Sequence, residues 1–312
     1  MTKLKGILLT EGMHGMISQV EGLAKALDLE FIHEKIELNN FWKFIPPSLT
    51  PVKKFIFKNN IVKNFDIVIS CGRKSVIPSI YLKKNSNKKI INIHIQNPKV
   101  STNNFDYVVS PEHDNLNGPN VINSKGAIHY LTLDEINKEK NYLENKLEKN
   151  KDIITLILGG PTNYYDYSNE NIIRIFSKIN KHLIEKNLQL IFIPSNRTPK
   201  QTITFAKEYF NKSRLIIDTV DKRAYLSSLA LSKYIVVSCD SSSMISEAAL
   251  TGKPVYVAMI PPRRNDKRFN KFRSLFKDLN IIKELGEELT TWNYESLNET
   301  SRIATIIKDK IK

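Results

Sequence analysis

The sequence predicts an α/β protein of two Rossmann-like, doubly wound domains that face a central cleft, and three observations carry this expectation. Short β-branched runs alternate with longer helical patterns along the chain, the signature of parallel sheets joined by crossover helices. The alternation restarts once near residue 150, so the chain reads as two halves of similar plan without a close sequence repeat. With 312 residues, 41% of them hydrophobic, there is enough apolar material for two cores of ordinary domain size.

In the first half the strand candidates are KGILLT from Lys5, FIHEKIEL from Phe31, FDIVIS from Phe65, KIINIHIQ from Lys89 and FDYVVS from Phe105. Residues 41–60 place Pro46, Pro47 and Pro51 among aromatics, which excludes a regular helix and predicts an irregular insertion. At TLDEINKEKNYLENKLEKN, Thr132 and Glu135 have capping-box spacing at the head of a long charged helix, expected to end the first domain. The second series is IITLILGG from Ile153, LQLIFIPS from Leu188, RLIID from Arg214, YIVVSCD from Tyr234 and PVYVAMI from Pro254. The expected domains are therefore residues 1–148 and 149–312, with the last helix free to pack back on the first.

Composition narrows the function classes. The longest apolar runs, FDIVIS and DIITLIL among them, fall far short of the ~20 residues that span a bilayer. The start, MTKLKGILLTEG, lacks the apolar core and small-residue cleavage site of a signal peptide, so a cytoplasmic protein is expected. The two cysteines, Cys71 and Cys239, each close an apolar strand-like run, the place of small buried residues rather than of a disulfide or metal site. The net charge of +15 suits nucleic acid, an anionic membrane surface or anionic small substrates. No nucleic-acid motif accompanies it, and Lys, Asn and Ile are abundant together, as an AT-rich genome imposes. The lysine-rich, aromatic PSLTPVKKFIFKNN segment is where an anionic bilayer would be met.

In open parallel sheets ligands gather beyond the carboxyl ends of the strands. After the first strand, TEGMHGMISQVEGLAKAL offers Gly12 and Gly15 in a turn whose amides can meet an anion, with Glu11 and His14 at the strand end. The same glycines would serve a tight turn that binds nothing. SCGRKS sets Gly72, Arg73 and Lys74 at a helix start, suited to phosphate or carboxylate or simply to a turn with surface cations. PEHD gathers Glu112, His113 and Asp114, residue types for proton transfer, ahead of a turn fixed by Gly118 and Pro119.

The second half is more specific. Gly159 and Gly160 end a strand and would let backbone approach a ligand, while Ser195, Arg197 and Thr198 stand at the next strand end. In SCDSSSMISEAALTGKPVYV, a strand leads through Asp240 to Ser241, Ser242 and Ser243 and then into a helix. Hydroxyls and free first-turn amides there can hold a phosphate. Glu247 lies one turn beyond Ser243, where a carboxylate can accept from a ribose diol. The plainer reading is that Asp240 and Ser241 cap a helix packed closely through Ala248 and Ala249.

These residues, in this order, resemble the ELM family, named for a plant mitochondrial fission protein but widespread in bacteria. The matching stretches are GMHGMISQVEGLAKAL, SCGRKS, IQNP, PEHD with GPNV, LILGGP, NRTP, DSSSMISEAALTGKPVYV, RFNKF and WNYESLN, spanning nearly the whole chain. The chain departs from the family at Met16, where a His is usual, and at Asn196, where a second Arg is common. The resemblance implies a fold like that of GT-B glycosyltransferases and nucleotide-sugar epimerases. It also brings three functional classes, because bacterial members are described as transferases or epimerases and the plant protein as a recruiter of a fission factor.

The leading expectation is a metal-independent GT-B-type transferase with no cofactor, in a bacterial setting. The second half would hold a nucleotide-diphosphate sugar through Gly159, Gly160, Arg197, Thr198, Ser241, Ser242, Ser243 and Glu247. The first would hold a saccharide or lipid-linked acceptor, with Gly15, Gln19, Arg73 and Gln96 on the acceptor or another anion and Glu11, His14 and Asp114 as catalytic candidates. Glu11 would take the acceptor proton. A sugar-nucleotide epimerase or hydrolase, with acids such as Glu112 and Asp114 on both sides of the sugar, and a non-catalytic adaptor are the alternatives. The expected place is the cytoplasm, peripheral on the inner face of a membrane, with no specific nucleic-acid partner.

Overall fold

A computed structural model describes residues 3–61, 64–210 and 214–311. The chain divides into two compact units, Met1–Tyr130 with Asn298–Lys312, and Leu131–Leu297.

The first unit contains β1 (Lys5–Thr10), α1 (His14–Ala26), β2 (Glu30–Lys35), β3 (Ile67–Cys71), α2 (Val76–Lys84), β4 (Ile91–Ile95), β5 (Tyr107–Pro111) and β6 (Val121–Ser124). Its strands pair parallel in the order β2-β1-β3-β4-β5-β6. Because β2 lies on one side of β1 and β3 on the other, the order reverses between β1 and β3. That is the topological switch point at which open sheets of this kind bind ligands. The central strand reads IVISC and is buried at every position, as a parallel strand covered on both faces must be. All five strands expected in this half form where the pattern put them. The edge strand β6 (VINS) was not anticipated, since four residues with two polar positions carry too little β signal.

The expected insertion is a series of three 3-10 turns, Phe41–Lys43, Pro47–Leu49 and Lys54–Ile56, held to the core by buried Ile56 and Phe57. Both cysteines are free and buried, and burial pushes the Cys239 thiol up to about 11 and the Cys71 thiol higher still.

The second unit opens with a correction. The capping box forms as expected, the Thr132 hydroxyl accepting from the Glu135 amide at 3.2 Å. The helix is nevertheless broken into α3 (Leu133–Lys138) and α4 (Asn141–Glu144) and packs within the second unit. The cause is Ser227 of α7 (Lys222–Leu231), whose hydroxyl donates to the Lys140 carbonyl (2.8 Å) and accepts from the Leu143 amide (3.1 Å). Those backbone groups would be paired internally in a continuous helix.

The remaining elements are β7 (Ile153–Leu158), α5 (Asn169–Glu185), β8 (Gln189–Pro194), α6 (Lys200–Tyr209), β9 (Leu215–Ile216), β10 (Tyr234–Ser238), α8 (Ser242–Ala249), β11 (Val255–Ala258), α9 (Lys267–Asp278) and β12 (Ile282–Glu284). They form a parallel sheet in the order β12-β11-β10-β7-β8-β9, with the switch point between β7 and β10. The α5 helix buries Ile172, Ile175, Phe176, Ile179 and Leu183, the i, i+3, i+4, i+7 stripe of a core-facing helix. The other unanticipated edge strand, β12, is three residues long, two of them exposed and charged.

The last helix, α10 (Glu299–Ile311), belongs to the first unit, where Ile303, Ala304 and Ile307 join the core containing Val20 and Leu23 of α1. Its first turn is tied there by Glu299, which accepts from the Lys125 amide at 2.8 Å.

Candidate functional site

In the second unit the switch point brings together the ends of β7 and β10. The Asp240 carboxylate, with no solvent exposure, receives the Arg197 guanidinium at 2.6 Å and the Gly160 amide at 3.2 Å. Arg197 also donates to the Gly160 carbonyl (3.1 Å) and is 39% exposed, so it lies at the rim while the carboxylate lies beneath. The second Asp240 oxygen, Oδ1, has no hydrogen-bond partner among the described residues.

This explains the two glycines differently from the expectation of an open ligand approach. A Cβ on Gly159 would lie 2.1 Å from Asp240 Oδ2, and one on Gly160 would lie 1.9 Å from the Arg197 carbonyl oxygen. The space left by the missing side chains is filled by the protein's own acid and backbone. The Gly160 amide and the Arg197 guanidinium, donors of the kind an anion takes, are engaged by an internal carboxylate. Thr198 is likewise spent: its hydroxyl bonds the Leu158 and Gly159 carbonyls at 2.7 Å each and accepts from the Ser195 amide at 2.8 Å.

What stays open is the start of α8. Ser241 is its N-cap, accepting from the Met244 amide at 3.3 Å. The half-buried Ser242 and Ser243 hydroxyls make no hydrogen bond among the described residues, and they stand where helix amides and dipole favour an anion. On the same helix, half-buried Glu247 accepts from the Tyr225 hydroxyl at 2.7 Å. Burial pushes its carboxyl up to about 7, partly offset by that hydrogen bond.

Because the unfolded value lies near 4.5, the unfolded chain ionises first as pH rises and the folded state loses stability between about 4.5 and 7. Glu247→Gln removes this penalty and keeps an acceptor for Tyr225. Its stability should exceed the parent's by on the order of 1–2 kcal/mol at pH 8 and match it near pH 4.5. Urea titrations at the two pH values check this, and an equal difference at both would contradict it.

In the first unit the switch point brings Glu11 beside the Gly72–Lys74 turn. Glu11 Oε1 accepts from the Lys74 amide at 3.1 Å, and Oε2 pairs with the Lys74 ammonium at 2.9 Å. Gly72, at φ +93°, admits both Met16 and Glu11, since a Cβ there would lie 2.7 Å from the Met16 sulfur and 3.2 Å from Glu11 Oε1. His14 begins α1 on the surface, edge-on to Tyr130 at 6.3 Å, with Gly15 in the same first turn. Gln19 is buried and its amide oxygen receives Gln96 at 3.5 Å, so these two form a pair, with Gln96 at a left-handed φ of +82°. Arg73 is exposed and donates to the Lys43 carbonyl. Asp114 stands 3.8 Å from the His113 ring in a 3-10 turn that follows β5.

Residue reasoning missed two of the partners. Tyr225 lies in KRAYLSSLAL with no motif about it, and Tyr167, whose hydroxyl donates to the Gly159 carbonyl at 3.2 Å, lies in a loop equally silent. Lys74 and Asp240 were in view, but only tertiary contact couples them to Glu11 and Arg197.

The family described as mitochondrial fission ELM1 matches residues 14–311. Among relatives, an uncharacterized protein of Rickettsia prowazekii (strain Madrid E), RP120, is 26% identical over 95% of this chain and 94% of its own. The mitochondrial fission protein ELM1 of Arabidopsis thaliana is 22% identical over 78% of this chain and 64% of its own. Among solved structures, UDP-GlcNAc 2-epimerase from Neisseria meningitidis bound to UDP-GlcNAc is similar over 99% of both chains, with TM-score 0.55 and 11% identity. MurG of Acinetobacter baumannii is similar over 100% of this chain and 91% of its own, with TM-score 0.50 and 12% identity. At these identities the likeness fixes the fold, which is GT-B.

Proposed function

The chain belongs to the mitochondrial fission ELM1 family, and from that premise and the geometry of its second unit we propose that it is a metal-independent glycosyltransferase using a nucleotide-diphosphate sugar. The observation that carries the reading is the start of α8, where two uncommitted serine hydroxyls, a helix N-terminus and a carboxyl one turn later follow a switch-point strand. Ser242 and Ser243 take the phosphates and Glu247 the ribose. Arg197, at the exposed rim, exchanges part of its hold on Asp240 for the diphosphate as charge develops there.

The first unit takes the acceptor, saccharide or lipid-linked. In the transfer an acceptor oxygen bonds the anomeric carbon as that carbon's bond to the diphosphate breaks, with inversion. Glu11, released from Lys74, receives the acceptor proton. The same reading places the protein in a bacterial cytoplasm, at the inner face of a membrane whose anionic lipids meet its +15 charge.

Thermal shift with UDP, GDP, TDP and ADP and their sugars tests the reading. A nucleotide at a hundred times its dissociation constant adds ~2.7 kcal/mol of stability. In calorimetry the Ser242→Ala, Ser243→Ala double variant should bind that nucleotide about 10-fold or more weakly, as loss of charge-assisted hydrogen bonds predicts. Unchanged affinity would leave α8 as structure alone. No shift across the panel would favour a non-catalytic adaptor, and a sugar epimer or free sugar appearing without acceptor would favour an epimerase or hydrolase.

A further inference from the structure

The insertion in the first unit presents an unusual surface. Phe41, Phe44, Leu49 and Phe55 are 67%, 82%, 74% and 57% exposed, in a single stretch of chain. Exposed large apolar side chains are ordinary when scattered, and a group of them on one segment marks an interaction surface. From Leu38 to Phe65 the chain has no Asp or Glu, while Lys43, Lys53, Lys54 and Lys58 alternate with the aromatics. Phe41, Trp42 and Phe55 form one aromatic group, with ring centroids 5.1 and 6.0 Å apart.

The segment is held firmly. Ile56 and Phe57 are buried in the core, Leu38 bridges Phe57, and the Asn39 amide donates to the Ile56 carbonyl at 2.9 Å. Thr50 donates to the Pro46 carbonyl at 2.9 Å, and Lys54 donates to the Asn59 carbonyl at 2.8 Å with its ammonium 4.6 Å from the centre of the Phe57 ring. The aromatics are thus displayed on an anchored platform, so little backbone ordering entropy opposes their burial in a partner.

We propose that residues 41–58 form the docking surface for an anionic lipid bilayer, with Phe41, Phe44, Leu49 and Phe55 entering the headgroup boundary and the exposed Lys53 and Lys58 facing lipid phosphates. The chemistry is complementary at both levels. Apolar tips gain from acyl contact, lysines near an anionic surface are attracted to it, and no carboxylate within the segment opposes them. A folded protein partner would need acids set against these lysines and a shaped cavity for each aromatic, whereas a bilayer needs only this amphipathic pattern. Arg73, whose guanidinium bonds the Lys43 carbonyl, ties the platform to the Gly72–Lys74 turn beside Glu11. On the transferase reading, and only there, the inference adds that the acceptor is lipid-borne and is presented from this face.

Flotation of the full chain with phosphatidylglycerol and with phosphatidylcholine vesicles tests it, at low salt and at 0.5 M salt. The parent should float with the anionic vesicles at low salt at least 10-fold better than with neutral ones, and salt should weaken this. The Phe41→Ser, Phe44→Ser, Phe55→Ser variant, with an unchanged melting temperature, should lose at least 10-fold of the binding. Lys53→Glu, Lys58→Glu should do the same, while the equal charge change Lys149→Glu, Lys186→Glu in the second unit should not. Equal binding to both lipids, no binding, or an aromatic variant that floats like the parent would each overturn the inference. Nucleotide affinity, measured on the same variants without vesicles, keeps its failure separate from failure of the donor-site reading.

Discussion

Arg197→Met is expected to lower stability by about 3 kcal/mol, far more than loss of a surface arginine usually costs. The guanidinium reaches a carboxylate without solvent exposure, and once it is gone only the Gly160 amide, among the described residues, faces that charge from the protein side. The cost lies in the stranded acid rather than in the lost attraction. Asp240→Asn in the same chain should therefore recover more than half of the loss, since a neutral amide can still accept from Gly160. Urea unfolding of the two single variants and the double variant forms the cycle that measures this. Additive losses would show that the pair is uncoupled and that the arginine serves packing alone. On the proposed donor-site reading the same substitution should also weaken binding of any nucleotide diphosphate that stabilises the parent, because it removes the rim cation.

The second large effect is expected at Gly22, inside α1. On propensity alone Gly22→Ala should stabilise the helix by about 1 kcal/mol. Against that, a Cβ there would lie 2.3 Å from the His129 carbonyl oxygen and 2.8 Å from the Tyr130 amide nitrogen. That backbone cannot withdraw freely. The Thr300 hydroxyl of α10 accepts from the His129 amide at 3.0 Å and donates to its carbonyl at 2.8 Å. Overpacking typically costs about 1–3 kcal/mol, and a contact this short against tied backbone belongs at the upper end, so the net change should be a loss of roughly 2 kcal/mol. A shift in the urea midpoint toward lower concentration, with an unchanged slope, is the expected signature. A variant more stable than the parent would show that the α1 contact with this segment is loose.

The amino-acid sequence by itself determined the fold class. Runs such as IITLIL and YIVVS are too β-branched and too uniformly apolar to be anything but strands covered on both faces, and helical periodicities stand between them. It also located the irregular insertion, where three prolines forbid a helix, and the Thr132 capping box, because both signals are local. The serine-rich start of α8 was legible for the same reason, being a strand, a cap and a helix in unbroken order.

Tertiary structure alone decided what the side chains do there. Gly159 and Gly160 read as space for a ligand, and the fold puts the Asp240 carboxylate and the Arg197 backbone in that space. Glu11 read as an available base, and the fold pairs it with Lys74. Glu247 read as an ordinary carboxylate, and burial beside Tyr225 raises it to about 7. The long charged helix after Thr132 broke because Ser227, far along the chain, captured two of its backbone groups. The physical reason is common to all four. Backbone conformation is biased first by neighbours in sequence, whereas ion pairing, long-range hydrogen bonding, desolvation and steric space depend on groups that only folding brings within a few ångströms.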